Sequence, residues 1–301
     1  LTKVTGVQTC ALPICARHEL ALDFMKAGLY DRAEAAWAGL ERTAYAQEAA
    51  LGQLVICERW HDWPRAAALA QKLLAGQGQM PLTHDLARNL AHNLAHYLCE
   101  QAAAAQEPGE KLALLEQAQA RAPGAARPRV ERARLLAAQG QPQAALQALA
   151  ELPAHAPQAL PLVACEMVAL AAQCQALPQT RALLEQSYAQ APALDVAEAL
   201  AQACRASDTG DASQQQARQI YVRHLEQTPS LNAAARWLAG APIAPPETHA
   251  AVQRAVERAA RPLACYRCAA CGFTAKTHFW QCPGCQAWDT MPPRRVEELD
   301  K

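Results

Sequence analysis

Apolar positions along the chain follow a helical rhythm punctuated by small residues. Gly28-Leu29-Tyr30-Asp31-Arg32-Ala33 followed by Trp37 sets a turn, an aromatic, an alanine and a second aromatic in fixed order, with Ala21 and Phe24 upstream. Trp63-Pro64-Arg65-Ala66 repeats the turn and the small residue thirty-three positions later. Gly140-Gln141-Pro142-Gln143-Ala144-Ala145, with Ala133, Leu136 and Leu149, gives a further copy. A second register comes from prolines: Pro123, Pro157, Pro192 and Pro229 are spaced 34, 35 and 37 residues apart. Proline has no N–H to donate and stops a helix, so each marks the end of the second helix of a hairpin.

Both marker sets agree on the period of a 34-residue helical hairpin. Alanine or glycine at fixed places lets the two helices of a hairpin approach closely, while larger residues fill the space between hairpins. The pattern predicts an all-α fold, a tetratricopeptide-repeat solenoid of about six repeats over residues 16–240, with the unit at residues 86–123 longer and less regular. Alanine and leucine dominate this part and aromatics are only 5% of the chain, which favours helix over strand. Residues 241–246, Ala-Pro-Ile-Ala-Pro-Pro, cannot continue a helix and read as a linker. A short helix follows, with Val252 and Val256 on one face, ended by Pro262. Residues 241–263 are therefore expected to be linker and helix, 264–295 a small metal-binding domain, and 296–301 a tail.

Cys268-Ala-Ala-Cys271-Gly272 and Cys282-Pro-Gly-Cys285 are two C-x-x-C knuckles separated by ten residues. Each can present two thiolates to one ion, and together they close a tetrahedron. Cys268, Cys271, Cys282 and Cys285 are the expected ligands. Four sulfurs suit zinc or a single iron and reject magnesium or calcium, which want oxygen. Gly272 permits the turn after the second cysteine, and Pro283 presets the second turn. Cys265 forms another legal C-x-x-C with Cys268; the glycine after Cys271 favours the Cys268/Cys271 pair and leaves Cys265 as a neighbour. A unit this small needs its ion to fold.

Twelve cysteines divide into seven scattered singly and five between residues 265 and 285, which suits a reduced compartment with one metal cluster. Lys+Arg and Asp+Glu both number 28, so there is no overall field for a polyanion or an anionic membrane surface. In the C-terminal part, residues 261–301, six basic residues face four acidic ones, too small a surplus for a nucleic-acid footprint. No G-x-S-x-G, P-loop or G-x-G-x-x-G is present, and the chain has only four serines. A protein-binding scaffold that is not an enzyme fits best; a rubredoxin-like electron carrier is the alternative that four thiolates on iron leave open.

The stretch from Tyr266 through Cys268, Cys271, Gly272, Trp280, Cys282 and Cys285 to Trp288, preceded by Ala-Gly-Leu-Tyr-Asp-Arg-Ala-Glu at residues 27–34, resembles the lipopolysaccharide assembly protein B family over about residues 17–295. That resemblance implies tetratricopeptide repeats followed by a rubredoxin-type module holding one iron or zinc ion. It implies a non-enzymatic adaptor at the cytoplasmic face of the bacterial inner membrane. Its implied partners are a membrane AAA+ protease, the lipid A pathway deacetylase whose degradation it promotes, and other lipopolysaccharide assembly proteins. The family's N-terminal membrane anchor has no counterpart here. Residues 4–14 instead read as the translation of an adapter oligonucleotide joined to a gene fragment, so residues 1–15 are set apart from the fold.

Other candidates have plainer readings. His92 and His96 stand one helical turn apart, the spacing of paired zinc ligands, but Asn93 replaces the glutamate a zincin needs; a polar stripe with His84 and Arg88 is the expectation. Trp37, Trp60 and Trp63 should serve repeat packing, and Trp280 and Trp288 should cover the metal knuckles and contact the repeats. The charged residues from Glu297 onward should be a solvated end.

Overall fold

A computed structural model describes residues 8–76, 82–207, 210–240 and 246–299. Residues 1–7 of the adapter-like leader and 241–245 of the anticipated linker lie outside them. The chain separates into two compact units, Leu1–Pro123 and Gly124–Lys301. In the first, α1 (Gln8–Lys26) packs on α2 (Tyr30–Ala38), α3 (Ala46–Trp60) on α4 (Trp63–Leu74), and α5 (His84–Ala104) on α6 (Pro108–Arg121). In the second, α7 (Ala126–Ala138) packs on α8 (Pro142–Ala150), which runs on into the single turn α9 (Leu152–His155) and a 3-10 segment, Pro157–Leu162. Then α10 (Ala164–Gln173) pairs with α11 (Leu177–Gln190), and α12 (Leu194–Ser207) with α13 (Asp211–Gln227). Finally α14 (Leu231–Gly240) lies between α13 and α15 (Pro246–Ala260). These are stacked helical hairpins of the tetratricopeptide-repeat class, carrying a small C-terminal four-cysteine module.

Four of the hairpins share one turn, and its chemistry explains the sequence markers. The N–H groups of Leu29, Asp62, Gln141 and Ala176 each reach back five residues, to the carbonyls of Phe24, Cys57, Leu136 and Ala171. That is the helix-ending bond of a Schellman motif, which needs a left-handed residue just before the donor. Gly28 (φ +72°), His61 (+57°), Gly140 (+74°) and Gln175 (+56°) fill that place. Five residues beyond each sits a small buried residue, Ala33, Ala66, Ala145 or Thr180, where the second helix meets the first. The Gln175–Thr180 copy escapes the sequence markers because glutamine replaces the glycine and threonine the alanine. Pro123, Pro157, Pro192 and Pro229 all follow a second-position helix, as their spacing predicts.

Packing of the tryptophans is mixed. Trp37 is buried, and a Cβ on Gly52 of α3 would lie 2.5 Å from its indole, so only glycine lets α3 pass there. Trp63 stacks on Tyr97 of the following hairpin with ring centroids 6.0 Å apart. Trp60 departs from the expectation: at the last residue of α3 it points outward and is 41% exposed. On α5, His84 and Arg88 face solvent, but His96 is fully buried, so the expected polar stripe sinks into the packing at its C-terminal end.

If the left-handed turn residues carry the hairpins, replacements should move stability in opposite directions. Gly140→Ala should cost about 1 kcal/mol, and Gln175→Gly should gain roughly 0.5–1 kcal/mol by relieving a side chain from the left-handed region. Urea unfolding of the two variants checks this; equal signs would contradict the shared turn.

Candidate metal centre and its seat on the repeats

After α15 the chain makes a 3-10 turn, Arg261–Ala264, and enters a two-stranded antiparallel ribbon of β1 (Tyr266–Arg267) and β2 (Thr274–Ala275). Cys268 and Cys271 lie in the loop joining these strands. The Cys268 N–H donates to the Phe273 carbonyl at 2.8 Å, and the Gly272 N–H donates to the Cys268 carbonyl at 3.0 Å. The second loop repeats the pattern fourteen residues on: Cys282 N–H donates to the Ala287 carbonyl at 3.0 Å, and Gln286 N–H to the Cys282 carbonyl at 2.7 Å. Gly272 (φ +78°) and Gln286 (φ +61°) occupy the same left-handed place in the two knuckles. Gly284 is closely approached: a Cβ there would lie a tight 3.2 Å from Phe273 Cβ and 3.4 Å from Cys271 Sγ.

The two loops bring the sulfurs of Cys268, Cys271, Cys282 and Cys285 all within 4.8 Å of one another; the Cys265 sulfur is not in the group. Cys268 Sγ lies 3.8 Å from Cys285 Sγ, and Cys271 Sγ 3.6 Å from Cys282 Sγ. Ligands about 2.3 Å from a tetrahedral centre stand roughly 3.8 Å apart, so this donor set fits one zinc-sized ion. Polar groups around the sulfurs favour thiolate. The Thr290 hydroxyl, 3.2 Å from Cys268 Sγ, together with the N–H groups of Cys271 and Ala270, brings the Cys268 thiol down to about 6. The Phe273 N–H pulls Cys271 the same way, but partial desolvation and hydrogen bonding among the three neighbouring sulfurs outweigh it and push this exposed residue's thiol up to about 12. Four sulfurs this close cannot all ionise unless a cation shares their charge.

The module's own core is Tyr266, Cys268, Cys282 and Met291, with Leu162 from the 3-10 segment packed against it. Trp280 leans on the core of the second unit, and the Arg127 guanidinium of α7 lies over the Trp288 ring, 5.8 Å from its centroid. Both tryptophans thus contact the repeats, as expected. The Phe273 side chain lies beside Gly284 of the second knuckle.

What fastens the module is a segment read from sequence as a solvated end, and here the expectation is corrected. Glu298 is buried, and its carboxylate accepts from the Leu194 N–H at the start of α12 (2.9 Å) and from the Arg295 N–H (3.1 Å). Glu297 accepts from the Ser230 hydroxyl (2.6 Å) and the Asn232 N–H (3.4 Å) at the start of α14. Helix N-termini leave N–H groups unpaired and favour negative charge, so both glutamates act as caps supplied from the far end of the chain. Arg295 completes the seat. It makes a two-pronged ion pair with Asp195 at 3.0 and 3.1 Å, donates to the Ala264 carbonyl at 2.8 Å, and covers the Tyr266 ring. Arg294 donates to the Pro192 carbonyl at 3.1 Å. Burial beside Asp195 pushes the Tyr266 phenol up to about 12. Apart from the local Arg295 N–H bond to Glu298 and the Tyr266 ring, these partners lie 31 to 104 residues from the residue they meet, so the sequence does not foreshadow them.

Residues 266–293 match the family model described as a rubredoxin metal binding domain. The lipopolysaccharide assembly proteins B of Escherichia coli strain K12 and of Escherichia coli O157:H7 are each 28% identical to it over 298 residues, covering 94% of this chain and 72% of theirs. The chain is a homologue of lipopolysaccharide assembly protein B. The alignment with these relatives takes in the repeats as well as the module. Among solved structures, a tetratricopeptide repeat protein from Parabacteroides merdae matches at 12% identity and a TM-score of 0.40, covering 82% of this chain and 93% of that one. A thermophilic TPR protein from Thermus thermophilus matches at 17% identity and a TM-score of 0.30, covering 63% and 98%. Among the described residues no helix is long and apolar enough to cross a membrane.

Two outcomes follow from the seat. Asp195→Ala would leave the largely buried Arg295 guanidinium without its carboxylate, at a cost of about 3 kcal/mol to docking; thermal unfolding of the module should fall accordingly, and an unchanged midpoint would discount the pair. Burial of His278, whose Nε2 lies 2.9 Å from the Met291 carbonyl, holds its imidazole below the ordinary 6.5. Its stabilising share is full above pH 6.5 and is lost as pH falls towards the folded value, since the unfolded ring takes a proton first. An NMR titration of the His278 ring should show a midpoint below 6.5; a midpoint at or above it would contradict the burial argument.

Proposed function

We propose that the protein is a non-enzymatic adaptor in lipopolysaccharide assembly, promoting proteolysis of the lipid A pathway deacetylase by a membrane AAA+ protease. Stacked hairpins offer an extended surface for proteins rather than a reaction site. Cys268, Cys271, Cys282 and Cys285 hold one iron or zinc ion in this reading, and four sulfurs leave no open position at which a substrate could bind. The ion supplies the folding energy of a module whose own core is four residues. The observation that carries the reading is the alignment to lipopolysaccharide assembly protein B across both parts of the chain, 94% of its length.

Work at the cytoplasmic face of the inner membrane belongs to the same proposal, through an anchor of the kind the family carries before its repeats. The module's role is to be held on the last hairpins by Arg295, Glu297 and Glu298, so that one composite surface meets the partners.

Cys282→Ser tests this. In cells relying on the variant, deacetylase turnover should slow several-fold and metal content should fall from one ion per chain, while far-UV circular dichroism retains most of the helicity. Normal turnover with the ion lost would refute the role given to the module. Metal analysis and absorption spectra of the unaltered protein separate iron from zinc; a reversible one-electron couple would favour electron transfer instead.

A further inference from the structure

Between α12, α13 and α14 lies a cavity of about 300 Å³ in which three arginines, Arg205, Arg218 and Arg236, converge. The floor is apolar, made by Ala217 and the ring of Tyr221, both buried. The Arg205 guanidinium lies near the Tyr221 hydroxyl. Arg236 is braced from one side by Glu198 at 3.3 Å. Arg218 lies against the last turn of α14, where a Cβ on Gly240 would be in ordinary contact with it, 3.7 Å from Nε. No acidic side chain is among the described residues lining the cavity.

Three guanidinium groups stand around an apolar floor, those of Arg205 and Arg236 on exposed residues, so an anion entering there meets positive charge from more than one side. Each presents a planar fork of donors matched to a carboxylate, while the arginine stems and the tyrosine ring offer contact to an apolar group beside that charge. The volume is at the small end of pockets that take compact ligands, on the order of 300–1,000 Å³. It holds one or two side chains. Lying between helices of stacked hairpins, it is suited to part of an extended chain.

We propose that this cavity is a peptide-binding site for an acidic segment of a protein partner, taking a carboxylate between Arg205, Arg218 and Arg236 with an adjacent apolar side chain on Tyr221 and Ala217. This concerns binding alone and does not depend on the metal module or on deacetylase turnover; its failure would leave that reading standing.

The test uses the metal-loaded full chain and a fluorescein-labelled peptide, Gly-Ser-Gly-Phe-Glu-Glu with a free C-terminal carboxylate, followed by fluorescence anisotropy. A control peptide carries Phe-Gln-Gln-amide at its end. The acidic peptide should bind at least tenfold more tightly than the control and weaken as salt rises from 50 to about 300 mM, as expected of charge pairing. Arg218→Gln and Arg218→Glu, both at a partly exposed helical position, should lower affinity by at least threefold and tenfold in turn. Amide shifts at Ala217 and Gly240 on peptide addition would place the site. Equal binding of the two peptides, unchanged affinity in both variants, or shifts confined elsewhere would overturn the proposal. Inorganic phosphate shifting the same amides at low millimolar concentration while the acidic peptide leaves them unmoved would make this a small-anion site and overturn it too.

Discussion

The tightest demand in the molecule is made by four cysteine sulfurs held within 4.8 Å of one another. Two hydrogen-bonded loops of the same design set that spacing, and their N–H groups offset only part of the repulsion that follows once more than one sulfur ionises. A thiol lowered to about 6 beside one pushed up to about 12 expresses that conflict. A cation at the centre removes it. With only Tyr266, Cys268, Cys282 and Met291 as a buried core, the module has no second source of comparable stabilisation. Two of those four residues are themselves members of the sulfur group, so core and metal centre are one structure.

From that centre the dependence runs outward to the repeats. Thr290 sits against Cys268, Met291 closes the core, and a few residues later Arg294, Arg295, Glu297 and Glu298 reach the starts of α12 and α14. The helices need those acceptors, because the first N–H groups of any helix lack partners. Two helices of the scaffold are thus finished by side chains from the module's far edge. An ion pair that is largely out of water, Arg295 with Asp195, contributes geometry as much as energy, since its desolvation offsets much of the attraction. The module is in this way built into the end of the second unit.

Much of this was legible in the sequence and some was not, for reasons that can be stated. The hairpin period was readable because its turn needs a left-handed residue and its helix crossing needs a small one, and both needs leave marks at fixed offsets. Where substitution blurred the mark, at Gln175 and Thr180, the turn marker is lost although the backbone is the same, and the spacing of Pro157 and Pro192 is what registers that repeat. The cysteine knuckles were readable because ligand spacing is local. The seat was not, because Glu298 and Leu194 are 104 residues apart and a charged pair near the end of a chain looks like any solvated end. Trp60 misled for the opposite reason: aromatic character suggests burial, but its position at the last turn of α3 leaves it outside.

Hydrogen exchange at the Leu194 and Asn232 amides, before and after the ion is stripped by a chelator, reads the central claim at its far end. These two N–H groups donate to Glu298 and Glu297, so their protection reports whether the module is seated. The account predicts that protection at both falls steeply when the ion is removed and returns when it is restored, while amides inside α3 are unaffected. Protection at Leu194 and Asn232 that persists unchanged in the metal-free protein would contradict it.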